Sequence, residues 1–352
     1  MKSNYINILK GLAIFLMLWG HCIQVCIPAG FDFFENPLFK IIYSFHMPLF
    51  MLISGYLFYF SFEKRSTKEL LIHRCGGLIQ TIVLFGIFSY FMTTGLFYVI
   101  KGNFLALFGG NWLSSLSNLW FFWSVLSASL VVGFVCKKTE KIGLQVLLLT
   151  VGSIIVLLFP NGTNNLFMYP YYILGFYFAK YKDFIPKKMM HIKYVSLVIF
   201  PIMLLFFEKR HYIYTSGLFG NSYSLLQYIE IDLFRWAIGL IGSTFVFVLI
   251  ELLYNFAIAR HSQFFIFKLT SYLGEKSLQV YALSTVFLSS YLTVVYPKII
   301  KVLPQIDTFF ANHIFIYNFV FTLFLAVLYS FAISLIIKML EKFKISKVLF
   351  GR

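Results

Sequence analysis

The sequence predicts an all-α polytopic membrane protein with about ten transmembrane helices and both termini on the cytoplasmic side. Three observations carry that fold class. Of 352 residues, 60% are hydrophobic and only 12% charged, where soluble domains run at about 25% charged. The mean hydropathy is +0.84, more apolar surface than a soluble fold of this size can hide. Apolar runs of membrane-spanning length recur from end to end, and the basic residues gather between alternate runs.

Taken in order, the expected spans are Ile8–Ile27, Leu38–Phe60, Gly77–Ile100, Leu119–Cys136, Ile142–Phe159, Leu166–Ala179, Tyr194–Phe207, Leu233–Tyr254, Leu278–Tyr296 and His313–Ile337. The sixth and seventh are short, and each holds a proline, Pro170 and Pro201. Such segments tilt, break or extend into flanking loops. With the N-terminus inside, 22 of the 29 Lys and Arg residues fall in cytoplasmic segments, six outside and one, Arg235, within the eighth span. That bias fixes the N-in, C-in orientation. No linker or internal repeat divides residues 1–352, which read as a single membrane domain.

The formal net charge of +16 does not signal nucleic acid, because the charges sit in short clusters between apolar runs. They suit anionic headgroups of membrane lipids. Cys22, Cys26, Cys75 and Cys136 show no metal-finger spacing, so neither a metal site nor a disulfide framework is expected. The first apolar run lacks a cleavage site of the signal-peptide kind.

An ionisable residue deep inside a span is a functional candidate. His21 lies about 20 Å past Ile8 at ~1.5 Å per residue, and His46 about 12 Å past Leu38 from the opposite side. In a core of ~30 Å the two fall at similar depth. Their helices are joined by a short loop and are expected to be neighbours. An imidazole is a competent base near neutral pH, suited to deprotonating a hydroxyl that attacks a thioester. A covalent acyl-histidine is the other route. Lys10 and Arg74, at cytoplasmic helix ends, are placed to meet the phosphates of a donor. Gly76-Gly77 offers a close approach for a ligand or helix. On the external side, Glu230, Asp232 and Arg235 cluster, and the last two are spaced to pair on a helix. With Trp120, and with Trp123 and Trp236 alongside, they form a candidate acceptor-binding group. Interfacial anchoring is the ordinary role of tryptophan.

These residues resemble the acyltransferase-3 family of integral membrane acyltransferases. Lys10 and His21 have the spacing of that family's opening basic-to-histidine motif. The stretch SFHMPLFMLISGYLF from Ser44 is similar to its second helix and closest to the branch related to fucose 4-O-acetylases. LWFFWSVL from Leu119, YYILGFYFAKY from Tyr171 and YLGEKSLQVYALS from Tyr272 resemble later segments. The resemblance implies His21 as the catalytic residue, Lys10 as its motif partner and Arg74 as the first arginine of an Arg-x-x-Arg motif, whose second position here is Gly77. It also implies acetyl-CoA or another short acyl thioester as donor, with no metal. The acceptor implied is a cell-surface glycan such as O-antigen, capsule or exopolysaccharide, in a bacterial inner membrane. The alternative class is a transporter or flippase for a glycan or small solute. Against it stand the lack of inverted-repeat symmetry and the few charges within the spans.

Overall fold

A computed structural model describes residues 2–70, 72, 75–92, 112–218, 223–259, 265–287 and 292–350. Arg74 and parts of the third and ninth expected spans lie outside the described residues. The described chain is helical throughout, without a strand. Five helices are long and apolar enough to cross a bilayer, and four shorter apolar helices accompany them.

The principal helices are α1 (Lys2–Val25), α2 (Pro37–Lys64), α3 (Gly76–Tyr90), α4 (Trp120–Lys138), α5 (Ile142–Leu157), α6 (Gly162–Tyr181), α7 (Ser196–Leu205), α8 (Leu225–Ala259), α9 (Phe265–Glu275), α10 (Ser277–Phe287) and α11 (Leu323–Lys342). Helix α2 begins sharply because Asn36 caps it. Its side-chain oxygen accepts from the amides of Leu38 and Phe39, and Pro37 occupies the first turn, where no amide is needed. The Asn36 amide group then donates to the Asn318 side-chain oxygen at 2.8 Å, with both residues buried. That bond ties the start of α2 to a π-helical turn, Tyr317–Thr322, which leads into α11. Trp19 of α1 donates to Thr322 Oγ1 of the same turn at 3.0 Å.

Helices α1 and α2 form the centre. They are antiparallel neighbours, α1 also packing on α9 and α11, and α2 on α6 and α8. Two crossings are so close that only glycine fits. A Cβ at Gly55 of α2 would overlap the Tyr172 carbonyl oxygen of α6, and one at Gly175 of α6 would overlap the Leu52 carbonyl oxygen of α2. The α1–α9 crossing repeats the arrangement, with Gly11 against Thr270 and Gly274 against Asn7. Close backbone approach through small residues is how membrane helices gain packing without a hydrophobic drive. Among the described residues, Gly76 and Gly77 make no such contact, since nothing lies within 4 Å of a Cβ at Gly76 and only a carbonyl at 4.0 Å from one at Gly77.

Helices α5 and α7 turn apolar side chains outward, with Ile154 at 60% and Leu205 at 81% exposure. Surfaces of that kind suit hydrocarbon. Pro170 does not break α6, which runs four residues beyond the expected span at its start. Within the ninth run the described residues form α10 and the helix Thr293–Val302. Helix α9 was absent from the expected spans because Lys268 and Glu275 interrupt its apolar pattern.

Candidate active site

On α1, Lys10, Ile14, Met17 and His21 follow one another by four, three and four residues, so they form one stripe. On α2, Tyr43, Met47, Phe50, Ser54 and Leu57 form the facing stripe. Two cavities flank α2, one along this seam and one between α2, α6, α8 and the loop that precedes α8. The larger, about 140 Å³, is lined by Lys10, Ile14, Met17, Met47 and Ser54 among others. The smaller, about 30 Å³, is lined by Tyr43, His46, Met47, His211, Tyr214 and Arg235 among others.

His21 stands one turn beyond Met17 and is only partly buried. Its Nδ1 lies 3.3 Å from Gln24 Oε1 and 3.3 Å from the Tyr43 hydroxyl oxygen. The Nδ1–H tautomer fits the facing Gln24 amide oxygen and leaves Nε2 with its lone pair. His46 is 2% exposed, and its Nδ1–H donates to the Ile42 carbonyl at 2.8 Å. That carbonyl lies one turn back on α2. The Nε2 of His46 is again the basic nitrogen. Tyr43 links the two imidazoles, edge-on to His46 with ring centroids 4.7 Å apart and to His21 at 6.2 Å. Phe39 holds Tyr43 in place by stacking at 3.8 Å. The histidines therefore meet through Tyr43; His46 lines the smaller cavity, while His21 lines neither cavity and reaches the smaller one only through Tyr43.

The candidate acceptor residues have different settings. Arg235 is 2% exposed, and its guanidinium is fully engaged. It donates to the backbone carbonyls of Arg210, His211, Tyr212 and Gly217 at 2.8–3.2 Å, to Ser216 Oγ, and to Asp232 Oδ1 at 2.5 Å. It pins residues 210–217 over the smaller cavity. The backbone of Gly217 has a φ of +65°, a turn that favours glycine. Lys209 adds an ion pair to Asp32 at 2.6 Å, and the Tyr212 hydroxyl donates to the Phe34 carbonyl at 3.0 Å. Glu230 is exposed, with Arg210 at 3.9 Å. Trp120 packs edge-on to Tyr214 with centroids 6.4 Å apart, behind the cavity wall. The indole N–H groups of Trp123 and Trp236 donate to the carbonyls of Leu116 and Phe167.

In the same loop, His211 Nδ1 accepts from the Glu208 amide at 2.9 Å. Burial, aided by the neighbouring Arg210 cation, pushes its pKa down to about 4. Sequence reasoning passed over Gln24, Tyr43 and Met47. A usable signal was present for two of them, since Gln24 lies three residues after His21 and Tyr43 three before His46, within side-chain reach on a helix.

A family model described as an acyltransferase domain matches residues 3–339. The chain belongs to the acyltransferase-3 family. Both histidines, Lys10 and both cavities lie within the matched region. Among curated proteins, this acyltransferase-3 chain is similar to the nodulation protein NolL of Mesorhizobium japonicum (strain LMG 29417 / CECT 9101 / MAFF 303099), 28% identical over 178 residues, covering 49% of this chain and 46% of the relative. It is also similar to the nodulation protein NolL of Sinorhizobium fredii (strain NBRC 101917 / NGR234), 28% identical over 179 residues, covering 49% and 48%. The aligned region thus spans about half the length of these relatives. No solved structure gives a significant match.

Proposed function

We propose that this chain is an O-acyltransferase that moves acetyl, or another short acyl group, from a coenzyme A thioester to a hydroxyl of a cell-surface glycan. Its setting in this reading is a bacterial inner membrane, crossed ten times with both termini in the cytoplasm. The observation that carries the reading is the setting of His21. Gln24 and Tyr43 occupy its Nδ1, so Nε2 is left as the base, on the same helix stripe as Lys10.

The chemistry follows from that placement. Nε2 takes the proton of the acceptor hydroxyl as its oxygen attacks the thioester carbonyl. The new C–O bond forms, the C–S bond breaks, and the electron pair leaves on sulfur. The imidazolium returns its proton to the thiolate and restores the neutral ring. A base held in this manner contributes about 10²–10⁴-fold. Lys10, with Arg74, is assigned to the donor's phosphates. His46 is assigned to the acceptor side, orienting the attacking hydroxyl through its own Nε2. Asp232 and Arg235 shape the acceptor side by holding the loop over the smaller cavity.

The test uses purified protein with radiolabelled acetyl-CoA and lipid-linked or lipopolysaccharide glycan, beside a His21→Ala variant. Label should reach the glycan with wild type and not with the variant. Undiminished transfer by the variant rejects the role given to His21. Glycan translocation without acylation supports the transporter class instead.

A further inference from the structure

Met47 is the one residue that lines both cavities among the described residues. It is 5% exposed and therefore fixed in the interior. The antiparallel register that sets His21 beside Tyr43 sets Met17 level with Met47, one turn, about 6 Å, toward Lys10. Met17 lines the 140 Å³ chamber only, so Met47 is the wall that this chamber shares with the 30 Å³ one. Aromatic pairs stiffen the larger chamber, with Phe50 on Phe121 at 5.6 Å and Phe122 on Tyr281 at 4.8 Å. The adaptable part of its wall is thioether.

We infer that Met47 selects acyl groups by length, passing two- to four-carbon acyls to His21 and excluding chains of eight carbons. The inference rests on the acyl-transfer reading above. Its measure is volume. A cavity of about 150 Å³ holds benzene, and about 10–15 Å³ is needed for one water. The larger chamber therefore takes an object of about six heavy atoms, and the smaller takes about two waters or an acetyl group. A thioester brought toward His21 from the Lys10 side leaves its acyl chain in the larger chamber, against Met47, with the acceptor's cavity on the far side of that side chain. Replacing Met47 by alanine removes Cγ, Sδ and Cε and joins the two chambers.

The test is binding of coenzyme A and of hydrolysis-resistant acyl-coenzyme A thioethers with two, four, six and eight acyl carbons. The full-length protein in lipid nanodiscs is used. Wild type should bind the two-carbon analogue at least tenfold more tightly than the eight-carbon one. Met47→Ala should shrink that ratio at least fivefold, and Met47→Val, a milder truncation that preserves more packing, should shrink it in the same direction. Equal affinity for all lengths in wild type overturns the inference and leaves the donor reading standing. So does a ratio that both variants leave unchanged. Binding of neither coenzyme A nor any thioether overturns both.

Discussion

Alanine at Gly55 or Gly175 tests whether the α2–α6 crossing holds the site in shape. Each Cβ would be driven into a backbone carbonyl oxygen of the opposite helix, Tyr172 for Gly55 and Leu52 for Gly175. A backbone atom has no rotamer to move to, so the helices must part by on the order of 1 Å. Overpacking of this kind costs about 1–3 kcal/mol, and the upper end applies where neither partner can yield. A gap of 0.5–1 Å also forfeits about a quarter to a half of the dispersion energy across the interface. Gly143 supplies the control within the same chain. Among the described residues nothing lies within 4 Å of a Cβ there, and its φ is not positive. Alanine at that helical position should be neutral or stabilising by up to ~1 kcal/mol. Thermal unfolding in detergent, followed by tryptophan fluorescence, reads the difference. Gly55→Ala and Gly175→Ala should each lower Tm clearly, and the double variant should lose less than the sum, because one separation accommodates both methyls. If Gly55→Ala melts with Gly143→Ala, the tight crossing is not a source of stability.

The other predictions concern the site and its cover. Arg235→Met should destabilise by about 3–5 kcal/mol, the range for breaking a buried ion pair by removing one partner. It should also open tryptic cleavage at Lys209 and Arg210, whereas unchanged protection would deny Arg235 its anchoring role. Tyr43→Phe removes only a hydroxyl, so it should lower kcat roughly tenfold with donor KM unchanged; a change in KM alone would make Tyr43 a binding residue. His211 is held neutral in the fold, with a pKa of about 4, below the value near 6.5 of an unfolded chain. Its contribution is complete above pH 6.5 and is lost as the pH falls toward 4, because the unfolded state takes up the proton first. Wild-type Tm should therefore drop more between pH 7 and pH 4.5 than that of His211→Asn, and parallel curves would refute it.

Much of the central pair was legible in the sequence. The apolar runs located α1 and α2, and counting rise per residue set His21 and His46 at one depth, where Tyr43 now joins them. The Asp232–Arg235 pairing followed from its spacing. Less legible was what Arg235 does with its remaining donors. They reach carbonyls 18 to 25 residues away, and no local pattern encodes that. The glycines at the close helix crossing were not legible for a similar reason. Gly76-Gly77 stands out as a pair, but a close crossing depends on which helix face meets a partner, and isolated Gly55 and Gly175 supply it. Helix α9 escaped because a short amphipathic segment bearing Lys268 and Glu275 falls below the hydropathy of a span, although Gly274 sets it against α1. The place of Met47 in the walls of both cavities is invisible to sequence patterning, since a methionine on an apolar face reads as core.

The most direct measurement is a single-turnover one. Wild type and His21→Ala are loaded with labelled acetyl-CoA, the donor dissociation constant is measured in each, and the rate of label transfer to glycan is then followed. With Nε2 as the base, the rate should fall at least ~100-fold while the donor constant stays within threefold. Equal rates at equal donor occupancy would contradict the assignment of His21.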